Sequence, residues 1–279
     1  AEKTAGELPD NFVVTLPKVT LPEQVTALIG ALELLETSLK LAAGSLKIEL
    51  MIETTQCIVN DRGEIALPKL VDAARGRCVA AHFGTYDYTA ACGITAAHQR
   101  MDHPACDFAR SMMQMALAGT GVWLSDGATN ILPVPVHRAA GGAALTAQQV
   151  EENRAAVHRA WRLHTTHIFH SLESGFYQGW DLHPAQLPTR FAAVYAFFLE
   201  GVDAASARLS NFVGKAAQAT LVGEVFDDAA TGQGLLNYFL RALNCGALRE
   251  DEAEKLSGLS LAELRSASFV KILKTRAKT

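Results

Sequence analysis

Lys47-Ile-Glu-Leu-Met-Ile-Glu-Thr-Thr55 and Arg77-Cys-Val-Ala-Ala-His-Phe-Gly-Thr-Tyr-Asp-Tyr88 decide the fold of this chain. Each contains a short, mostly apolar run bounded by polar or turn residues, the pattern of a strand rather than a long helix. Each run leads into a carboxylate, Glu53 in the first stretch and Asp87 in the second. Strands without a clear wet face belong to parallel sheets, whose faces are covered by crossover helices.

Working outward, the same unit recurs. Upstream, Asn11-Phe-Val-Val-Thr-Leu-Pro17 reads as a strand. A helix follows from Pro22 to about Lys40, with Val25, Leu28, Ile29, Leu32 and Leu35 at three-four spacing and Gly44 marking its end. Between the two deciding stretches lie a turn at Asn60–Gly63 and a helix over Ile65–Ala74. Downstream, a loop carrying His98, His103 and Pro104 leads to a helix through Phe108–Leu117. Gly121-Val-Trp-Leu124 is a fourth strand, followed by Ser125-Asp126-Gly127. Ala139–Ala144 reads as a Gly- and Ala-rich loop, and Thr146 caps a long helix through at least Thr166. Phe176–Leu182 is a fifth strand. From Pro188 the chain reads as helical, with runs at Arg190–Asn211, Leu235–Leu243 and Ala253–Lys274, and no strand is expected there.

The strand ends fall near Lys18, Glu53, Asp87, Asp126 and His183, so units of roughly 35 to 40 residues repeat, with a longer last one. Periodicity alone leaves a doubly wound sheet and a TIM barrel open. No G-x-G-x-x-G follows the first strand and no G-x-x-x-x-G-K-[ST] occurs, so Rossmann and P-loop readings lose their main support.

Composition narrows the classes. Of 279 residues, 49% are hydrophobic and 19% charged, which excludes a disordered chain and favours one large core. With 25 Lys+Arg against 29 Asp+Glu, the net charge of −4 offers nothing to phosphates, so no nucleic-acid partner is expected. Apolar stretches such as Phe191–Leu199 are too short to span a bilayer. The cysteines, Cys57, Cys78, Cys92, Cys106 and Cys245, are odd in number and form no C-x-x-C, so reduced thiols and a cytoplasmic setting are expected. The chain opens Ala-Glu-Lys-Thr with no signal-peptide pattern, and the missing initiator Met reads as a hint of sequence upstream.

In parallel α/β folds function gathers at the carboxyl ends of strands. Glu53 and Asp87 follow consecutive strands, which lie about 4.8 Å apart and can bring their end residues to one point. Two convergent carboxylates suit a hard cation such as Mg²⁺; ordinary helix capping is the competing explanation. Asp126 reads either as a group near the substrate or as part of an Asp-Gly turn. Lys18 reads as an ion-pair partner at the strand ends, with a Schiff-base nucleophile as the lesser alternative. His98 and His103 are acid–base candidates or solvated loop residues. His158, His164, His167 and His170 crowd one helix, and no nearby carboxylate or Cys completes a metal-binding set, so a plain helix face is expected. Cys57 reads as a buried thiol.

Leu16-Pro-Lys-Val19, Leu50-Met-Ile-Glu-Thr-Thr55, His82-Phe-Gly-Thr-Tyr-Asp-Tyr88 and Gly179-Trp-Asp-Leu-His-Pro-Ala-Gln186 resemble, in order and spacing, successive strand motifs of the HpcH/HpaI aldolase and citrate lyase β-subunit family. The resemblance spans roughly residues 11–200. It implies a TIM barrel of the phosphoenolpyruvate/pyruvate type, with this chain supplying about the last five βα units. The domains are then 1–200, a partial catalytic barrel, and 201–279, a helical extension.

The resemblance further implies that Glu53 and Asp87 are Mg²⁺ ligands, with Mn²⁺ as a substitute. It implies an enzyme, a metal-dependent carbon–carbon lyase or aldolase acting on a small 2-oxo or hydroxy acid, or its CoA thioester, through a metal-stabilised enolate. Backbone amides around Gly84 and Thr85 would position the substrate carboxylate, with Lys18 and Asp126 at the mouth. Malate-synthase-like or acyl-CoA thioesterase activity, and a non-catalytic metabolite-binding or assembly role, are the alternatives.

Two departures stand out. Family members carry a strand ending in a substrate-contacting Arg before the Pro-Lys strand, whereas only ten residues precede Asn11 here. The first strands and that Arg are therefore expected upstream or from another segment. The long helical C-terminus either covers a neighbouring barrel's mouth in a homo-oligomer or pads this chain's own; its basic end, Lys271, Lys274, Arg276 and Lys278, reads as a solvated helix end.

Overall fold

The structure is a computed structural model, and it describes residues 7–139, 141, 144–214, 220–222 and 225–276. Two compact units divide between Gln186 and Leu187. The sequence boundary at residue 200 falls inside one unbroken helix, which is why the division lies earlier in the chain.

The first unit is built on five parallel strands: β1 (Val13–Leu16), β2 (Lys47–Ile52), β3 (Cys78–Phe83), β4 (Trp123–Ala128) and β5 (Gln178–Trp180). They pair in the order β1-β2-β3-β4-β5, all parallel. Sequential order matters, because a doubly wound sheet requires the order to reverse at a switch point. Right-handed crossovers that always step the same way place every helix on one face. The crossover helices α1 (Pro22–Leu39), α3 (Leu67–Ala73) and α5 (Pro104–Leu117) accordingly contact one another in turn. Short helices α2 (Thr55–Ile58) and α4 (Thr85–Ala91) follow β2 and β3, and α6 (Ala147–Glu173) connects β4 to β5.

Side chains alternate across this sheet as a strand's period of two demands. Ile48, Leu50, Ile52, Ala81 and Phe83 enter the core with Val25 and Ile29 of α1, Leu67 and Leu70 of α3, and Ala109 and Met113 of α5. The alternate positions form a polar face: the Thr15 hydroxyl donates to Glu49 Oε1 at 3.0 Å, and His82 Nδ1 lies 2.9 Å from Ser125 Oγ. The His82 ring meets Trp180 edge-on at 4.7 Å. A cavity of about 720 Å³ opens at the amino-terminal ends of the strands, lined among others by Phe12, Lys47, Glu49, Trp123 and Gln178.

Several local expectations are corrected. The first helix ends on Lys40, which itself takes the left-handed conformation (φ 56°), and Gly44 lies in the turn beyond. The fourth strand starts at Trp123 and continues through Asp126 to Ala128, because Gly119 and Gly121, both at positive φ, spend the preceding residues on a turn. The Gly/Ala loop at Ala139–Ala144 lies partly outside the described residues. Thr146 caps α6 as expected, its hydroxyl accepting from Gln149 N while the Gln149 side chain returns to Thr146 N.

The second unit contains α7 (Leu187–Gly214), β6 (Thr220–Val222), β7 (Val225–Asp227), α8 (Ala229–Asn244), α9 (Glu250–Ser257), α10 (Leu261–Arg265) and α11 (Phe269–Arg276). β6 and β7 pair antiparallel, a hairpin where only helix was expected. The run expected over Ala253–Lys274 is three helices, broken where Gly258 turns left-handed and Ser260 caps a new start, and again at Ala267 (φ 50°). Phe198, Phe212, Leu236, Phe239 and Phe269 are buried in this unit. Arg276 pairs with Glu263 rather than standing free; Lys278 lies outside the described residues. No helix among the described residues is long and apolar enough to cross a membrane.

Candidate functional site

The carboxyl ends of β1, β2 and β3 bring Lys18, Glu53 and Asp87 together. Glu53 directly follows β2, and Asp87 sits in the first turn of α4, where the helix dipole favours a carboxylate. Gly84 joins β3 to α4, and its N–H donates to Ile52 O at 2.9 Å, fixing the two strand ends side by side. Past β1, the Lys18 N–H donates to Glu53 Oε1 at 2.7 Å and its ammonium lies 2.6 Å from Asp87 Oδ1. The Thr54 hydroxyl donates to Val19 O at 2.7 Å and closes the same corner.

Glu53 is only 6% exposed. Burial first, and then the neighbouring Asp87 carboxylate, push its pKa above the ordinary value, against the hydrogen bond from Lys18. Asp87 moves the other way, held down chiefly by the Lys18 ammonium. Gly84 is required here. A Cβ at this position would stand 2.5 Å from Glu53 Cβ and 2.8 Å from Oε2. Beside it, Thr85 is buried and its hydroxyl has no hydrogen-bond partner among the described residues. Gly127 makes the same allowance for that hydroxyl, since a Cβ there would lie 2.2 Å from Thr85 Oγ1.

Among the described residues no group of three or more His, Cys, Asp or Glu side chains could hold a metal. A hard cation that keeps several waters asks for only one or two carboxylates. The Glu53–Asp87 pair meets that requirement, and the raised pKa of a buried carboxylate beside a second one is the strain a divalent charge relieves. The residues therefore fit Mg²⁺ or Mn²⁺.

Asp126 does not follow its strand. It lies within β4, fully buried, and both its oxygens are engaged by Arg110 (3.1 and 3.2 Å), with further bonds from Ser171 Oγ (2.6 Å) and Gly127 N (2.8 Å). Arg110 went unnoticed in the sequence, although the helical stripe Cys106, Arg110, Met113, Leu117 announces it: a charge at a core-facing position needs a buried partner. The histidines of α6 also find carboxylates, brought from other segments. His164 Nε2 lies 2.9 Å from Asp181 Oδ1, His170 Nε2 2.7 Å from Asp107 Oδ1, and His167 Nε2 3.8 Å from Asp102 Oδ1. The plain helix face expected for the four is corrected for these three, while His158 stacks on Trp161 at 5.9 Å. His103 caps α5 by accepting from Ala105 N through Nδ1, His98 is exposed, and the Cys57 thiol is buried, donating to Thr54 O.

A family profile described as "Domain of unknown function (DUF6986)" matches residues 1–272. No curated protein matches the chain significantly. Among solved structures, a citrate lyase from Burkholderia xenovorans LB400 aligns with a TM-score of 0.61 at 19% identity, over 88% of this chain and 67% of that one. CitE from Mycobacterium tuberculosis, in complex with magnesium, acetoacetate and coenzyme A, aligns with a TM-score of 0.55 at 18% identity, over 82% of this chain and 68% of that one. The likeness is one of fold. This chain spans about two thirds of the length of each.

Proposed function

This chain belongs to the DUF6986 family, and we propose that it is a metal-dependent carbon–carbon lyase or aldolase acting on a small 2-oxo or hydroxy acid, or its CoA thioester. One observation carries the reading: two carboxylates, Glu53 and Asp87, converge at adjacent strand ends with a single lysine bridging them. The fold it shares with a citrate lyase and with CitE supports it.

Glu53 and Asp87 would hold Mg²⁺ or Mn²⁺. The metal would supply Lewis acidity, lowering the cost of negative charge on a carbonyl oxygen beside the bond that is made or broken. Within the chain, the Lys18 N–H keeps Glu53 aimed. Gly84 makes room for the Glu53 side chain, and backbone amides around Gly84 and Thr85 would position a substrate carboxylate. β1 and β5 are the edge strands of the described sheet, and further strands pairing there would bring the remaining substrate contacts, including an arginine.

The test is a panel of hydroxy acids and CoA esters assayed for aldol cleavage with Mg²⁺, on this chain and on any longer form. Cleavage that drops at least about 100-fold in Glu53→Gln and in Asp87→Asn supports the proposal. Unchanged Mg²⁺ affinity in the double variant sinks it.

A further inference from the structure

Lys18 is one of five non-glycine residues with positive φ among those described, at 49°. Left-handed backbone is sterically costly for a residue with a Cβ. Here it directs two groups of one residue onto two carboxylates: the main-chain N–H onto Glu53 and the ammonium onto Asp87. The two bonds differ in kind. The N–H belongs to the strand end and meets a buried acceptor. The ammonium ends a flexible four-carbon stem, and the Lys18 and Asp87 side chains are 64% and 54% exposed. A strongly hydrated ammonium leaves such an exposed pair at little cost.

We propose that Lys18 is the resident counter-ion of the carboxylate pair: its ammonium neutralises Asp87 in the metal-free chain and yields that place to a divalent cation, while its main-chain N–H holds Glu53 in both states. This rests on reading Glu53 and Asp87 as the cation site. Two consequences follow by linkage. Whatever frees the ammonium raises cation affinity, and cation binding releases a mobile positive side chain beside the substrate position.

Isothermal titration with MgCl₂ tests this on the full chain. Lys18→Met keeps the main-chain donor and removes the competing charge, so it should bind Mg²⁺ about two- to five-fold more tightly than the unaltered chain. Lys18→Arg keeps the charge and should bind no more tightly than the unaltered chain. A Lys18→Met affinity equal to or below that of the unaltered chain overturns the inference, as does a Lys18→Arg affinity matching Lys18→Met. Glu53→Gln/Asp87→Asn separates the two levels: if that variant binds Mg²⁺ as well as the unaltered chain, the cation site itself is misassigned. If Lys18→Met fails to fold, the Lys18 Cε resonance in ¹³C-lysine-labelled protein decides. It should move on Mg²⁺ saturation, and a fixed resonance overturns the inference.

Discussion

The Arg110 guanidinium grips both oxygens of Asp126, at 3.1 and 3.2 Å, and neither side chain is more than 2% exposed. Arg110 also donates to Met101 O at 3.0 Å, to Asp107, and lies 3.0 Å from His170 Nε2, so it joins α5, β4, α6 and the loop before α5 at one point. Removing one member of a buried pair strands the other's charge, which costs about 3 to 5 kcal/mol. Asp126→Leu and Arg110→Met should each lower the urea-unfolding free energy by about that amount. The double variant Arg110→Met/Asp126→Leu should recover part of the loss. Equal and additive losses would show that the pair is not coupled.

Gly84 offers a sharper probe of the site. Gly84→Ala places a methyl group against the Glu53 stem rather than against a free chain end. Glu53 must shift, at a packing cost of about 1 to 3 kcal/mol. Mg²⁺ affinity should fall about tenfold or more, as it does when a ligand's support is disturbed. Titration of Mg²⁺ into Gly84→Ala checks this, and wild-type affinity would count against the close approach.

Acid should loosen the first unit through Glu36. This nearly buried carboxylate accepts from Arg77 (2.6 and 2.8 Å) and from the N–H groups of Gly44 and Leu46, and the arginine chiefly holds its pKa down, from 4.5 to about 2. A depressed carboxylate contributes stability that is complete above pH 4.5 and lost as pH falls toward about 2. Glu36→Gln should flatten stability across that window in urea titrations run at successive pH values.

His82 acts at higher pH. Burial lowers its pKa from 6.5 to about 4, so it stays neutral in the folded chain while the unfolded chain takes up a proton. Stability should therefore decline as pH falls from 6.5 toward 4, and His82→Gln should remove that slope. An unchanged slope in the variant would assign it to other groups.

The strand ends were legible because an apolar run closed by a carboxylate is a local signal. That signal placed Glu53 and Asp87 at adjacent strand ends, Lys18 closes the neighbouring run after Pro17, and the structure brings the three within bonding distance. Asp126 was misread because the position of a strand's end depends on where its start is held. Two glycine turns shifted β4, so the aspartate that looked like a terminal residue became a core-facing one. The carboxylates opposite the α6 histidines were invisible for another reason. Asp102, Asp107 and Asp181 arrive from distant segments, and no spacing along α6 encodes them. The hairpin of β6 and β7 is too short for periodicity to register.

The one-directional order of the sheet has a consequence for handling this chain. Along the outer side of β1 and of β5, main-chain donors and acceptors form no ladder within the described sheet, and such margins template self-association. β5 is three residues long and β1 four, with Pro17 just past its end, so both margins are brief. β1 is the longer of the two, and Phe12 beside it is exposed. Aggregates of the isolated chain should nucleate there, and a lysine at Phe12 should keep the protein in solution.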